Sequence, residues 1–261
     1  MTMQSARPRS PLRYCGGKSR GVSEISKHIP EDTKRMVSPF LGGGSLEIAC
    51  ASAGITVRGY DIFEPLVNFW RCLLKDPKKL AETAKQYHPL TRSDFYDLQE
   101  GQHGSRSSYR RAAIYFVLNR ASFSGTTLSG GMSPGHPRFT ESSIERLERF
   151  CVENFSVDCM GFEDSIAGAD DTLLYLDPPY MLGGTGLYGR RGDMQNGFDH
   201  ERLAGILYGR DNWILSYNDT PEILSLYSDY AIVRPEWKYG MSSNKSSREI
   251  LVLSHDLGGT A

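Results

Sequence analysis

Residues 173–180 have the sequence Leu-Leu-Tyr-Leu-Asp-Pro-Pro-Tyr, which puts a carboxylate, two prolines and an aromatic ring directly after an apolar run. The apolar run predicts a short buried strand, and the prolines prevent further ladder pairing. Asp177 and Tyr180 are therefore expected at the carboxyl end of a strand, where ligands bind in open α/β sheets. A carboxylate, carbonyl groups directed by Pro178 and Pro179, and an aromatic face suit a planar base with an amino group. A proline turn with an incidental acid is the alternative.

The exocyclic amine of adenine is a poor nucleophile because its nitrogen is conjugated with the ring. If Asp177 accepts one N–H bond and the carbonyl of Pro178 accepts the other, the nitrogen becomes more tetrahedral and its lone pair is freed. That lone pair can attack a methyl group on a sulfonium donor held at about 3 Å, while Tyr180 stacks on the base. A target base inside a duplex must first be flipped out. This chemistry requires no metal and no covalent enzyme intermediate.

A βαβ unit near the start of the chain predicts a second part of the same binding edge. Residues 35–40 indicate a strand that ends in the glycine turn 42–44, and residues 55–60 indicate a second strand that ends at Asp61. Such a unit places backbone N–H groups under a nucleoside and a carboxylate on its ribose hydroxyls. The turn lacks the G-x-G-x-x-G spacing, so the pattern favours S-adenosylmethionine over NAD, with a nicotinamide oxidoreductase as an alternative. Helical spacing gives the intervening helix one buried face, formed by Leu46, Ala49, Cys50 and Ala53.

The segment at residues 11–19 contains a tyrosine, two glycines and a lysine. Its Gly-Lys-Ser is not a P-loop, because Leu12 stands where that loop needs a glycine. The glycines would let the backbone approach a ligand closely, and the lysine could meet a carboxylate. A surface turn is the alternative.

Between residues 66 and 150 the alternation of strand and helix lapses, which predicts a helical insertion. One helical face is formed by Tyr109, Ala112, Ala113, Phe116 and Val117. Asn119 and Arg120 follow, at the start of a long loop of the kind that is often functional. Their side chains could contact base edges or phosphates, although capping a turn is an equal alternative. Arg190, Arg191 and Lys245 lie in further basic loops and are candidates for phosphate contact.

The rest of the chain predicts strands at residues 155–159, 212–217, 231–234 and 249–254. Thr220 is expected to cap a helix at residues 221–227. His200 begins another helix and is expected to cap or position, not to act as a base. The fold class is therefore α/β, with a mostly parallel seven-stranded sheet that ends in an antiparallel hairpin.

The chain has 261 residues, a net charge of −1 and 39% hydrophobic residues. No apolar run approaches the ~18 residues of a membrane span, and the first residues lack the apolar core of a secretory signal. Five scattered cysteines form neither a disulfide framework nor a zinc ligand set. We therefore expect an intracellular, cytoplasmic protein without a metal or a membrane partner, and the oligomeric state stays open.

Together these segments resemble the DNA adenine-N6 methyltransferases of the Dam type, also called the D12 class, in the alpha group. The resemblance runs from about residue 11 to residue 254, in the order Tyr-x-Gly-Gly-Lys, Pro-Phe-x-Gly-x-Gly, acid, helical insertion and Asp-Pro-Pro-Tyr. It implies a Rossmann-like methyltransferase fold at residues 8–66 and 151–258, with a helical target-recognition insertion at residues 67–150. It also implies S-adenosylmethionine as methyl donor and double-stranded DNA as partner.

The resemblance also implies roles for individual residues. Donor-binding positions are matched by Tyr14, Gly17, Lys18, Pro39, Phe40, Gly42, Gly44, Asp61, Phe162 and Asp177. Catalytic positions are matched by Asp177, Pro178, Pro179 and Tyr180, and Asn119 and Arg120 begin the loop that reads DNA.

Two positions depart from the family pattern. Ser38 stands where members usually have an acid that meets the donor's amino group, and Gly161 stands where many have an acid or a serine. The loop at residues 126–138 differs from the Dam sequence, so specificity for GATC does not follow. RNA adenine, cytosine N4 and a non-catalytic DNA-binding subunit are the alternatives.

Overall fold

The computed structural model describes residues 8–14, 16–101, 105–128, 130–133, 138–181, 197–235 and 249–258. The strands of this part are β1 (Arg35–Ser38), β2 (Thr56–Asp61), β3 (Phe155–Cys159), β4 (Leu173–Leu176), β5 (Trp213–Asn218), β6 (Ala231–Val233) and β7 (Glu249–Leu253). They form one sheet in the order β3-β2-β1-β4-β5-β7-β6. The strands β1 to β5 are parallel, whereas β7 is antiparallel to both β5 and β6. The predicted fold class, a mostly parallel seven-stranded sheet ending in an antiparallel hairpin, is confirmed.

The order of the strands reverses between β1 and β4, which are neighbours in the sheet although they are far apart in sequence. Loops that leave two such strands on opposite faces open a crevice between them, at the carboxyl ends of the strands. The glycine turn follows β1, and the Asp-Pro-Pro-Tyr segment follows β4. The topology therefore brings the two predicted halves of the site to one point.

Both faces of the sheet are covered, which explains why the central strand is apolar throughout. Leu173 and Tyr175 of β4 belong to one core cluster, and Leu174 and Leu176 belong to the other. A parallel strand buried on both faces has a continuous apolar run instead of an alternating one. The run of four buried residues at 173–176 is such a strand.

The helices of the described residues are α1 (Val22–Ile25), α2 (Ser45–Ser52), α3 (Glu64–Lys75), α4 (Pro77–Lys85), α5 (Arg92–Gly101), α6 (Ser108–Ala121), α7 (Glu141–Glu148), α8 (Phe162–Ala167), α9 (His200–Leu207), α10 (Pro221–Leu226) and α11 (His255–Gly258). Helices α3 to α7 all lie between β2 and β3, as the lapse in alternation predicted. Whether this insertion recognises a target stays a prediction. Helix α4 starts at Pro77 with Asp76 as its cap, and α7 starts with a capping box of Thr140 and Ser143.

Helix α6 is the centre of the insertion and is buried on nearly all sides. Every residue from 112 to 119 is buried, so burial extends beyond the one helical face that the sequence indicated. Its Phe116 stacks on Phe69 of α3, and both belong to the same core cluster as residues of β1 and β2. The insertion therefore shares a core with the sheet.

Among the described residues, no helix is long and apolar enough to cross a membrane.

Candidate active site

One cavity lies at the carboxyl ends of β1 and β4, where the strand order reverses. It is lined by all of the residues predicted for donor binding and catalysis: Tyr14, Gly17, Lys18, Pro39, Phe40, Gly42, Gly44, Asp61, Phe162, Asp177, Pro178, Pro179 and Tyr180. These residues come from five separate segments of the chain. Their roles stay predictions, but the structure brings them to a single site.

The glycine turn after β1 forms the floor of this cavity. Gly42 and Gly44 have φ angles of 48° and 63°, which residues with a side chain rarely adopt. The ring of Tyr14 lies directly on the turn, because a Cβ atom added to Gly42 would be 2.8 Å from its Cε1 atom. The side chain of Trp70 holds the turn from the other side by donating to the Gly42 carbonyl at 3.1 Å. Glycine at position 42 is thus required both by its backbone angle and by the ring above it.

The carboxylate of Asp61 is fixed between two backbone amides at the end of β2. One oxygen accepts from the amide of Gly42 at 3.2 Å, and the other accepts from the amide of Phe63 at 2.9 Å. Burial raises the pKa of this carboxyl, and the backbone hydrogen bonds oppose that effect. Each oxygen retains lone pairs. The acid therefore also holds the glycine turn in place while it faces the cavity.

The carboxylate of Asp177 is bound by Lys18. The lysine is only 4% exposed, and its Nζ atom lies 2.7 and 2.8 Å from the two carboxylate oxygens and 2.7 Å from the carbonyl oxygen of Gly16. Burial raises the pKa of Asp177, whereas the charge and hydrogen bonds of Lys18 lower it. Lys18 therefore contacts Asp177, the predicted catalytic acid, and it also lines the cavity in which the donor is predicted to bind.

Aromatic rings line the wall beside the glycine turn. Phe40 stacks on Phe162 at 5.6 Å between ring centroids, and Phe198 meets Phe40 edge-on at 5.5 Å. Phe162 was predicted to contact the donor, whereas Phe198 was missed because it stands alone after a glycine-rich stretch. All three rings line the cavity.

A row of aromatic side chains supports Tyr180. Its ring stacks on Tyr217 of β5 at 5.8 Å, and the Tyr217 hydroxyl makes a short hydrogen bond to Nδ1 of His200. Burial lowers the pKa of His200. The cap of α9 is Asp199, which accepts from the amide of Arg202, so His200 positions the row and does not cap the helix.

Glu47 is a carboxylate of this cavity that the sequence analysis missed. It lies in the first turn of α2, is 2% exposed and accepts a hydrogen bond from Ser38 at 2.7 Å. Glu47 therefore places an acid beside position 38. At that position the resemblance implies an acid, and this chain has a serine. The available signal was a charged residue between Leu46 and Ile48, in an otherwise apolar helix.

The structure does not place Asn119 where it could contact a base. Its side chain is 0% exposed, accepts from the amide of Arg13 at 2.8 Å and donates to the carbonyl of Arg13 at 2.8 Å. It also donates to Gly125 at 3.2 Å and to Thr127 at 3.1 Å. These bonds occupy the amide inside the protein, so the described structure gives no support to the prediction that Asn119 binds DNA. Asn119 ties the segment before the cavity to the loop after α6.

The loop after α6 forms a further wall of the cavity, which the sequence analysis also missed. Gly125, Thr126 and Thr127 line it, as does Tyr115 from α6. Gly125 has a φ of 77°, and a Cβ atom there would be 2.1 Å from the carbonyl oxygen of Arg13.

Arg120, the second predicted DNA contact in this region, is half-buried. Its guanidinium donates to the carbonyls of Arg138 at 3.1 Å and of Pro11 at 3.4 Å. Burial, followed by the nearby charges of Arg146, Arg13 and Arg138, lowers its pKa to about 10. Arg120 therefore belongs to a cluster of four arginines. The other predicted DNA contacts lie outside the described residues: Arg190, Arg191 and Lys245.

Comparisons with known proteins identify a family and several relatives. A family model described as D12 class N6 adenine-specific DNA methyltransferase matches residues 14–241. The chain is 27% identical over 184 residues to a DNA adenine methylase of Vibrio cholerae, an alignment that covers 66% of this chain and 65% of the relative. It is 26% identical over 269 residues to the Retron Ec67 DNA adenine methylase of Escherichia coli, covering 93% of this chain and 90% of the relative. It is 25% identical over 279 residues to a DNA N-6-adenine-methyltransferase of Escherichia phage P1, an alignment that covers 96% of this chain and 35% of the relative. The chain thus spans 65% of the length of the Vibrio relative and nearly all of the retron relative.

Proposed function

This chain belongs to the family of D12 class N6 adenine-specific DNA methyltransferases, and from that membership we propose that it transfers a methyl group from S-adenosylmethionine to the N6 amino group of a flipped-out adenine in double-stranded DNA. The observation that carries the proposal is a single cavity that contains Asp177 to Tyr180 on one side and the glycine turn with Asp61 on the other. The names of the relatives, which specify adenine methylation of DNA, support the same substrate. We propose that it acts on DNA in the cytoplasm.

The residues of the cavity fit the proposed donor. S-adenosylmethionine supplies an electrophilic methyl carbon on a positively charged sulfonium. The cavity has three acids, Asp61, Glu47 and Asp177, which suit a cationic ligand. The amides of the glycine turn and the Asp61 carboxylate would hold the ribose, and the stacked rings of Phe40 and Phe162 offer an apolar surface to the donor's adenine.

The Asp-Pro-Pro-Tyr segment would hold the target base. Asp177 and the carbonyl of Pro178 would each accept one N–H bond of the exocyclic amine, which frees its lone pair for in-line attack. Lys18 occupies two of the roughly four lone-pair directions of the Asp177 carboxylate, so others stay available. Because Lys18 also opposes the rise in the pKa of Asp177, it favours the ionised carboxylate, which would accept an N–H bond from the amine. As the nitrogen–methyl bond forms, the methyl–sulfur bond would break, S-adenosylhomocysteine would leave, and the amine would lose one proton. Tyr180, fixed by Tyr217, would stack on the base.

The arginine cluster supports DNA as the polymer. None of Arg13, Arg120, Arg138 and Arg146 forms an ion pair with an acid among the described residues. The cluster adjoins the cavity, because the loop wall at Gly125 packs against the backbone of Arg13. Unpaired cations beside the proposed base pocket would attract the phosphates that flank a flipped nucleotide.

A salt titration tests this contact. Replacing the exposed Arg138 by glutamine should reduce the slope of log affinity against log salt by about 1, the value for one lost phosphate contact. Arg149→Gln is the matched control, since Arg149 is also exposed but pairs with Glu145. An unchanged slope in Arg138→Gln would remove this residue from the DNA interface.

Transfer of a labelled methyl group tests the function itself. The purified protein should label unmethylated duplex DNA, and digestion of the product to nucleosides should give N6-methyladenine. Labelled RNA, or N4-methylcytosine in the digest, would replace the proposed substrate. Binding of DNA and of the donor without any transfer would indicate a non-catalytic subunit.

A further inference from the structure

Glu47 is a buried acid in the cavity that the mechanism above does not use in its chemical step. Its carboxylate accepts a hydrogen bond from Ser38 at 2.7 Å, and none of the described residues forms an ion pair with it. Burying a carboxylate that is 2% exposed and has no such ion pair costs free energy of folding. A bound cationic group would offset that cost.

The groups that face Glu47 come from four parts of the fold. They are Ser38 from β1, Tyr175 and Asp177 from β4 and its end, Lys18 from the first segment, and Cys50 from α2 itself. Burial, with a smaller contribution from Asp177, raises the pKa of Glu47 to about 7, against the opposing effects of the Ser38 bond and the Lys18 charge.

Among the described residues, acidic side chains outnumber the basic one in the group of Glu47, Asp177 and Lys18. Lys18 is bonded to both oxygens of Asp177 at 2.7 and 2.8 Å, and its distance to Glu249 is 3.9 Å. In the described part of the chain, Lys18 therefore lies beside two acids, Asp177 and Glu47, and its hydrogen bonds to carboxylates go to Asp177. The complement of such a site is a ligand with a positive charge and several N–H donors.

We propose that Glu47 binds the α-ammonium group of the methionine part of S-adenosylmethionine. The inference rests on the proposed function and gives a ligand to Glu47, the acid of the cavity to which the proposed function assigns none. Asp61 is bonded to the glycine turn at the end of β2, where it would bind the ribose. Asp177 would accept a hydrogen bond from the target amine. An ammonium has three N–H donors and no acceptor, so it suits the Glu47 carboxylate. Ser38 fixes the rotamer of that carboxylate.

Calorimetry with two ligands tests this assignment. S-adenosylhomocysteine has the ammonium group, whereas 5′-methylthioadenosine lacks the amino acid part and keeps the nucleoside. Glu47→Gln should weaken binding of S-adenosylhomocysteine by about 10- to 100-fold, as expected for a lost charge-assisted hydrogen bond, and change binding of methylthioadenosine less than about twofold. Glu163→Gln is the control, because Glu163 is an exposed glutamate that pairs with Arg202. Equal losses for both ligands, or no loss for either, would overturn the assignment.

A pH titration of the unaltered protein provides a test that does not depend on the folding of a variant. Binding an ammonium favours the ionised carboxylate, so a proton must leave Glu47 at any pH below its pKa of about 7. The ratio of the S-adenosylhomocysteine affinity to the methylthioadenosine affinity should fall by up to about tenfold from pH 6.5 to 5.5. A constant ratio would overturn the inference. If the unaltered protein binds neither ligand, the proposed function fails and this inference fails with it.

Discussion

Replacing Lys18 by methionine tests whether the buried ion pair holds the carboxylate of Asp177. Methionine keeps most of the length of the side chain but removes the charge, which leaves Asp177 without its cation. Breaking one side of a buried pair costs about 3–5 kcal/mol. Because the Asp177 side chain is 20% exposed, we expect the lower end, a loss of about 3 kcal/mol in the free energy of unfolding.

A double-mutant cycle separates this pair from a general loss of packing. Urea unfolding at pH 7 would be measured for the unaltered protein, for Lys18→Met, for Asp177→Asn and for the double variant. Each single variant leaves one charge buried without its partner, whereas the double variant leaves neither. The sum of the two single losses in the free energy of unfolding should therefore exceed the loss in the double variant by well over 1 kcal/mol. Additivity within about 0.5 kcal/mol would refute the coupling.

The pH dependence of Lys18→Met follows from the same pair. Lys18 lowers the pKa of Asp177, so removing the lysine raises that pKa further above its ordinary value. A carboxyl with a higher pKa in the folded state makes the folded state bind its proton more tightly, so stability is gained as pH falls. The stability deficit of the variant at pH 7 should therefore shrink as pH falls toward the ordinary value of 3.8. A deficit that grows over this range would contradict the account.

Three further variants test the walls of the cavity. Gly125→Ala should destabilise the fold by about 1–3 kcal/mol in thermal or urea unfolding, because its positive φ and the nearby Arg13 carbonyl exclude a Cβ, whereas Gly205→Ala in α9 has open space and should not destabilise. Asn119→Ala should cost at least about 2 kcal/mol in the same assay, since it leaves the buried backbone groups of Arg13 without partners; a cost near zero would mean that those groups find other partners. Asp61→Ala should weaken binding of S-adenosylhomocysteine in calorimetry, and an unchanged affinity would remove Asp61 from the donor site.

The sequence could predict which residues line the cavity because strand ends are visible in the pattern. Short apolar runs that stop at a glycine turn, at Asp61 and at Asp177 mark the carboxyl ends of parallel strands. Parallel strands in one sheet bring these ends to one edge, so residues from separate segments could be assigned to one cavity without knowing the strand order.

The sequence could not predict which polar side chains lie inside. The helical spacing that predicted α2 did not include Glu47, and only the hydrogen bond from Ser38 of β1 shows which group this buried acid contacts. Asn119 was predicted to contact DNA or to cap a turn, but its partner Arg13 is 106 residues away. Helix α6 is surrounded by other helices, and periodicity within one helix does not show what covers its second face.

The measurement that tests the central claim most directly is methyl transfer by Asp177→Asn. Asparagine keeps the shape of the side chain, but its neutral amide oxygen accepts the N–H bond of the amine less strongly than a carboxylate does. The exposed Asp229→Asn serves as a charge-matched control. With labelled S-adenosylmethionine and unmethylated duplex DNA, we expect Asp177→Asn to lose at least about 100-fold in rate while it remains folded, and the control to keep full activity. Full transfer by folded Asp177→Asn would contradict the assignment of Asp177 as the acceptor of the adenine amine.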